Sequence, residues 1–555
     1  MGLLAGRLRC LRPHALLAVL CFALYLPGIA AIPPLDRDEA RFAQATRQML
    51  ESGDFLHIRF QDEARNKKPA GIYWLQAAAV SLVSTPEAAV IWPYRLPSLL
   101  GAIAAVLTTF AFGAALFGER PAPRQPAVIA AVLLGSALGL AAEAHIAKTD
   151  AALLFAVTAA QAALGLTYVR ARTGRPVAWW LPVVFWAAEI AAIFLKGPVG
   201  PALAVVTAAA LAIADGEARW LRRLRPLFGV LAVIVAVAPW LIAIERATEG
   251  RFVSDALGGD LWAKLVGVRE LHGAPPFSYL FASLVTFWPG SLLLVPAMVR
   301  AWRRHDLPAE RFLLAWLVPA WLILELVPTK LPHYVLPLYP ALALLAAAAL
   351  VDAVQPPTTI WQRRIDLLAR TLWGVATLGL AALLIGLPLR FAGGVVAVGV
   401  IGAVLLLALA PALLMYRSRP GVAAGLIAAL SLAFVVPAAV VLPGLERLWL
   451  SRAALDLVTS HPPTAGSPLV AVGYSEPSLV FLLGTKLLLA SPSAAADALA
   501  RGGEALVSSH ADAMFRQALV GRGLALKAVA IDRTAGLDYS NGQRMVLTLY
   551  RVAPE

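Results

Sequence analysis

The stretch PLDRDEARFA, residues 34–43, packs Asp36, Arg37, Asp38, Glu39 and Arg41 into six positions of a chain that is 60% hydrophobic and only 14% charged. Apolar runs lie on both sides of it, so the charges mark a segment just outside a membrane span rather than the surface of a soluble domain. Working outward, the mean hydropathy of +0.75 over 555 residues excludes an ordinary globular protein. A spanning helix needs about 20 mostly apolar residues, and about thirteen segments qualify. They lie near residues 14–32, 95–117, 126–146, 151–169, 178–195, 198–214, 226–244, 278–299, 312–327, 334–353, 368–389, 393–415 and 421–442. The expected fold is therefore a polytopic α-helical membrane protein.

The net charge of +14 is distributed in a way that argues against nucleic acid as a partner. Arginines gather in short loops at alternate helix ends: Arg7, Arg9 and Arg12; Arg120 and Arg124; Arg170, Arg172 and Arg175; Arg219, Arg222, Arg223 and Arg225; Arg300, Arg303, Arg304 and Arg311; Arg363, Arg364 and Arg370; Arg417 and Arg419. With thirteen spans every cluster falls on the side of the N-terminus, which the positive-inside rule makes cytoplasmic. The lysines behave differently. Lys67, Lys68, Lys148, Lys196, Lys264, Lys330, Lys486 and Lys527 all fall on the outer side, where orientation does not explain them. The two cysteines, Cys10 and Cys21, both lie in the N-terminal segment and cannot staple an outer domain. That segment is long enough to span and lacks a small-residue cleavage site, so it reads as a retained first helix.

Two polar regions interrupt the apolar pattern. Between the first two spans, residues 33–88 read as outer amphipathic helices, one over DEARFAQATRQMLES ended by Gly53 and a second, more apolar one begun by Pro69. A second outer loop spans residues 245–277. After residue 442 the texture changes: PLVAVGY, LLLAS, EALVSS, LALKAVAID and RMVLTLYRV read as strands, alternating with EPSLVFLLG, AAADALARG and DAMFRQALV as helices. Residues 443–555 are thus expected to form a small outer α/β domain after a membrane domain over residues 1–442.

On a helix, Asp38 and Arg41 share a face. The bland reading is that Asp36 or Asp38 caps the helix and Arg41 is its solvated partner. Against it stands the company these residues keep at other outer helix ends: Lys148 and Asp150 in HIAKTD, Lys196 in FLKGP, and Lys330, His333 and Tyr334 in PTKLPHY. Singly each lysine reads as snorkelling. Together they describe one cavity at the outer membrane face, suited to a phosphate headgroup whose lipid tail stays in the bilayer. Glu143, Glu189 and Glu325 lie inside apolar segments, where function and a pairing across the bundle are equally weighted readings. His145 reads as a packed or hydrogen-bonded histidine.

With these residues in hand, the chain resembles the lipid-carrier-dependent glycosyltransferases of GT-C architecture, in particular the ArnT-like aminoarabinose transferases and the protein O-mannosyltransferases. The family's acid, glutamate, any residue, arginine pattern matches Asp38, Glu39, Ala40 and Arg41. Its continuation matches Gly53, Asp54, Phe55, Phe60, Lys68, Pro69, Tyr73 and Trp74, and its later positions match Asp150, Lys196, Lys330 and Tyr334. The resemblance implies a bacterial inner-membrane enzyme that uses a sugar on undecaprenyl or a similar polyprenyl phosphate, presented on the periplasmic side, with lipid A, another glycan or a protein as acceptor. It implies Asp38 and Asp150 as catalytic carboxylates, Arg41, Lys68, Lys196, Lys330 and Tyr334 as donor-phosphate ligands, and Glu39 and Tyr73 as substrate contacts. The resemblance implies chemistry that needs no nucleotide, with a divalent metal possible. Many members carry an acid before the Lys-Pro that helps hold a divalent metal, whereas this chain has Asn66, which leaves the metal open. In the second outer loop Lys264, Arg269 and His272 are the candidate basic residues. A secondary transporter or flippase would show symmetric halves with broken helices near mid-membrane, and the sequence has neither feature. A membrane-anchored assembly protein would tolerate Asp38→Asn.

Overall fold

The computed structural model describes residues 2–256, 258, 274–352, 359–391, 394–463 and 467–553. Each apolar segment marked in the sequence carries a helix, and among the described residues seven of these helices are long and apolar enough to cross a membrane on their own, eight with the bent pair Arg124–Gly135 and Leu138–Ala144. The chain is a multi-pass membrane protein. Its arginine-rich ends meet on one face. Arg120 and Arg300 share Asp352 and Glu310, and Arg172 and Arg311 share Asp215. These ion pairs join loops far apart in sequence, which is what the alternation of arginine clusters requires.

The bent pair positions the site. Its two helices meet at 60°. Such a bend frees backbone groups inside an apolar bundle, where each must find a new partner. Tyr25 donates to the carbonyl of Gly135 at 2.7 Å, Ser431 donates to that of Ser136 at 2.8 Å, and the N–H of Leu138 donates to the carbonyl of Trp288 at 3.2 Å. The bend thus brings Leu138–Ala144, with Glu143, to the face opposite the arginines. Helices beside it pack closely through small residues, as membrane interfaces do. A Cβ on Gly101 would stand 2.7 Å from Ala152 Cα and 2.8 Å from the Ala151 carbonyl oxygen, on the helix that Asp150 begins.

The first outer segment forms the helix Asp38–Ser52, ended by Gly53 at φ 71°, a two-stranded hairpin of Arg59–Phe60 and Glu63–Ala64, and the helix Gly71–Val83. Beyond the last apolar helix, the expected strands and helices form a five-stranded sheet with helices on both faces. Across the sheet the order is Leu488–Leu489, Leu469–Val472, Glu504–Ser508, Gln543–Val552, Ala528–Asp538. The first three strands are parallel and the last two join antiparallel. Alternation along Leu469–Val472 sends Ala471 to a core with Leu450, Leu457 and Leu479, and Val470 and Val472 to one with Leu499 and Phe515. The domain docks on the first segment: Phe481 packs with Ala43, Val80, Tyr94 and Ala147, while its carbonyl accepts from Arg47 at 2.9 Å.

Forcing a branched side chain into the closest helix contact tests this packing. Gly101→Val should destabilise the bundle by about 1–3 kcal/mol, as overpacking typically does, read as a lower melting temperature in lipid. The solvent-facing Gly174→Ala, with nothing near its Cβ position but a φ of 67°, serves as a control for local backbone strain alone.

Candidate functional site

The first turn of Asp38–Ser52 is fastened into the core by Glu39. The side chains of Glu39 and Arg95 are fully buried, and the guanidinium binds both carboxylate oxygens, Nε to Oε1 at 2.8 Å and Nη2 to Oε2 at 2.9 Å. Arg95 also donates to the carbonyls of Ile29, Ile32 and Pro33, so all five of its N–H groups are used. The Glu39 oxygens additionally accept the backbone N–H of Ala147 at 2.7 Å and of Leu35 at 2.8 Å. Ala147 lies in the turn after the bent pair. One buried pair therefore ties Asp38's helix to the turn that carries Lys148.

Beside that turn, four elements deliver an ion cluster. Lys148 Nζ lies 3.0 Å from Glu143 Oε1 and 3.4 Å from Asp150 Oδ2. Lys196, in the last turn of Trp180–Lys196, reaches Asp150 Oδ1 at 2.5 Å. Each of these two charges also sits at the helix end that favours its sign. His333 stands between the carboxylates, 3.7 Å from Glu143 Oε1 and 3.8 Å from Asp150 Oδ1, and Lys196 lies over the Tyr334 ring at 5.3 Å. Burial works against charge on Lys148, but Asp150 and Glu143 hold its ammonium above the ordinary range.

At the mouth, Asp38 is exposed and within electrostatic reach of Lys148, His333 and Tyr73. Among the described residues neither Asp38 nor the half-buried Arg41 has a hydrogen bond or ion pair. A free carboxylate within reach of Lys148 can orient a polar acceptor, and the lysines of the cluster can neutralise an anion. Among the described residues no three His, Cys, Asp or Glu side chains converge as a metal would need, and Asn66 donates instead to Asp255 at 3.1 Å.

No family model matches the chain. It is 28% identical over 321 residues to the undecaprenyl phosphate-alpha-4-amino-4-deoxy-L-arabinose arabinosyl transferase of Pseudomonas savastanoi pv. phaseolicola, covering 57% of each chain. The like-named protein of Erwinia tasmaniensis is 28% identical over 350 residues, 60% of this chain and 59% of that one. The sequence matches thus span well under two thirds of these relatives. In three dimensions the likeness is end to end. ArnT from Cupriavidus metallidurans bound to undecaprenyl phosphate superposes with a TM-score of 0.72 at 19% identity, covering 97% of both chains; its apo state gives 0.70 over 98% of both.

The fold is that of ArnT.

On this ArnT fold the expected site residues separate into three groups. Asp150 and Lys196 belong to the cluster described above, Tyr334 and Asp38 lie beside it, and Arg41 is one helical turn from Asp38. Lys68 is half-buried near the start of Gly71–Val83 and is already engaged. Three expectations are corrected. Glu39, expected to touch substrate, has its carboxylate buried and filled by Arg95, Ala147 and Leu35. Tyr73, likewise expected at the substrate, is fully buried against Phe42, where its hydroxyl accepts from Arg65 Nε at 3.3 Å. Lys330, expected on the donor phosphate, donates to the carbonyls of Ala274 at 2.9 Å and Val327 at 3.0 Å and holds a loop. Lys264, Arg269 and His272 lie outside the described residues.

Other residues enter that the motif did not single out as site residues: Glu143, Lys148 and His333, and Arg65 beneath Phe42. A readable signal was present, since AEAHIAKTD sets Glu143, Lys148 and Asp150 close together inside an apolar chain. Glu325 instead accepts the N–H groups of Tyr279 and Leu280 at the start of Ser278–Thr286, a cap rather than a site. Glu189 is buried with neither carboxylate oxygen hydrogen-bonded among the described residues. His145 is packed, each ring nitrogen near a carbonyl, Ala141 at 2.7 Å and Pro27 at 2.8 Å.

Neither Asp36 nor Asp38 caps the helix. The capping position is held by Arg37, at φ 64° and ψ −107° without a side-chain cap bond. Asp36 turns to the C-terminal domain: its N–H donates to Tyr539 Oη at 2.7 Å, and its carboxylate accepts from Ser478. Arg37 Nη2 donates to the Ser540 carbonyl at 2.6 Å. Asp538 and Glu476 stand nearby. Burial, then Asp36 and Asp538, push Glu476 from 4.5 up to about 7, against a hydrogen bond from Ser540 and the charge of Arg37.

Two measurements follow. Removing one partner of a fully buried pair costs about 3–5 kcal/mol, so Glu39→Gln and Arg95→Met should each lower the melting temperature strongly, while Asp38→Asn leaves it near that of the unmodified protein. A Glu476 value raised on folding contributes stability that is complete at acid pH and is lost as pH rises through about 7. Thermal unfolding should show a less stable domain at about pH 8 than at about pH 5, and Glu476→Gln should flatten that difference. An unchanged slope in the variant would refute the assignment.

Proposed function

We propose that the chain is an inner-membrane glycosyltransferase that moves a sugar from a polyprenyl phosphate to an acceptor on the periplasmic side. Undecaprenyl phosphate is the proposed carrier, lipid A or another lipopolysaccharide component the proposed acceptor, and aminoarabinose the first sugar to test. One observation carries the reading: Asp38, uncommitted among the described residues and one helical turn from Arg41, lies within electrostatic reach of Lys148 in the Lys148–Asp150–Lys196 cluster, on a fold shared with an ArnT crystallised with undecaprenyl phosphate. The names of the curated relatives support the sugar and carrier. In this reading residues 1–442, with the periplasmic loop 33–88, are the catalytic membrane domain, and residues 443–555 are the periplasmic α/β domain. The arginine-rich face and the N-terminus are cytoplasmic.

The chemistry needs no nucleotide. An acceptor oxygen attacks the anomeric carbon of the sugar, the bond from that carbon to the phosphate oxygen breaks, and the polyprenyl phosphate leaves with both electrons. Arg41, Lys68 and Lys196 stabilise the charge that grows on the departing phosphate, which is where an enzyme's fixed charges act most strongly. Asp150 holds Lys196, and Tyr334 closes the pocket below it. A hydroxyl acceptor gives its proton to Asp38. A lipid A phosphate is already ionised and needs no base, and Asp38 then orients Arg41 or the sugar.

Purified protein in lipid, supplied with a panel of undecaprenyl-phosphate sugars and lipid A and followed by mass spectrometry, should show sugar transfer. Asp38→Asn should lower kcat by about a hundredfold or more, and Arg41→Gln should lower it by a comparable factor. The absence of transfer and of polyprenyl-phosphate binding in the unmodified protein would remove this reading.

A further inference from the structure

The carboxylate of Asp38 has no hydrogen bond or ion pair among the described residues to aim it, so its direction depends on the backbone that bears it. That backbone is strained at the preceding residue. Arg37, at φ 64° and ψ −107°, occupies a conformation that suits glycine at the first central position of a type II′ turn. A non-glycine residue persists there only when its surroundings impose it. On the membrane side the imposing contacts are those of Glu39. On the other side they come from a different domain, some 440 to 500 residues further along the chain.

We infer that the C-terminal α/β domain is a positioning device for the reaction, whose Tyr539, Ser478 and Ser540 hold Asp36 and Arg37 in the strained turn that aims Asp38. This rests on the proposed role of Asp38. The grip is itself built rigidly. Tyr539 packs edge-on against Trp449, with ring centroids 6.0 Å apart. The turn that bears Tyr539 and Ser540 is closed by Asp538, which accepts from the Ser540 N–H at 3.1 Å and from Asn541 Nδ2 at 2.9 Å. Ser478 is held from behind by Ser451 at 2.6 Å, and Ser451 by Tyr474 at 2.8 Å. A domain serving only as a tether has no need of hydrogen bonds to the two residues before the catalytic carboxylate.

The test uses the full-length protein in lipid. Tyr539→Phe and the double variant Tyr539→Phe/Ser478→Ala should lower kcat by about tenfold to a hundredfold, as a misplacement of about an ångström does, with the donor KM within about twofold of the unmodified enzyme. Adding Arg37→Gly, which accepts the positive φ without strain, should recover part of the lost kcat, whereas Arg37→Ala, which keeps its Cβ, should not. Should the double variant fail to fold, Tyr539→Phe alone, which deletes one hydroxyl, carries the same test. Full kcat in these variants, or a change in KM alone, while Asp38→Asn remains inactive, overturns the inference and leaves the proposed function standing. No transfer by the unmodified protein, or full transfer by Asp38→Asn, overturns the proposed role of Asp38, and this inference with it.

Discussion

The buried pair of Glu39 and Arg95 is the constraint on which the half of the protein opposite the arginine-rich face depends. A guanidinium and a carboxylate removed from water are costly unless every donor and lone pair finds a partner. Here each one does, and the partners are backbone groups from three places: the end of the first loop's approach at Ile29, Ile32 and Pro33, the turn at Leu35, and the turn at Ala147. The pair therefore acts as a junction rather than as a simple salt bridge. It fixes where the helix Asp38–Ser52 begins, and so where Asp38 stands relative to Lys148.

The same logic of satisfied backbone explains how the bent helix reaches the site. A straight helix through residues 124–144 would keep its own hydrogen bonds and carry Glu143 elsewhere. The bend instead loosens Gly135, Ser136 and Leu138, and Tyr25, Ser431 and the Trp288 carbonyl restore their bonds from two other helices and a turn. The position of the ion cluster is thus set by contacts deep in the bundle. The small residues that let helices approach, Gly101 among them, belong to the same arrangement.

Hydropathy is a local property, and the helices of the membrane part were legible because an apolar run reports its own fate. So were the strands of the C-terminal domain, whose short alternating runs correspond segment by segment to those in the sheet. The charged motif at residues 38–41 located the candidate site but did not apportion its roles. Whether Glu39 faces a ligand or a guanidinium depends on Arg95, 56 positions away, a partner that only folding brings to it. Tyr73 and Lys330 misled for the same reason, since their partners at Arg65 and at the Ala274 and Val327 carbonyls are brought to them by folding. The hold of Tyr539 and Ser478 on Asp36 had no sequence signal at all.

The pairing within the cluster bears on how such a site receives an anion. Lysines left bare in a largely buried setting would be expensive, and neutralising them permanently would make them useless to a phosphate. The arrangement steers between these limits. Lys148 and Lys196 are held by Glu143 and Asp150, with Asp150 and Lys196 each at a helix end that lowers the cost of its charge, while Arg41 stays uncommitted among the described residues. In the proposed reaction an arriving phosphate meets these shared ammonium groups. It gains charge-assisted hydrogen bonds without requiring the resting protein to carry a deeply buried, unbalanced positive charge. Asp38, opposite Arg41 on the same helical face, remains free of that network. In the proposed reaction, a carboxylate outside the ion-paired cluster leaves the cations to the leaving group and is itself left to the acceptor.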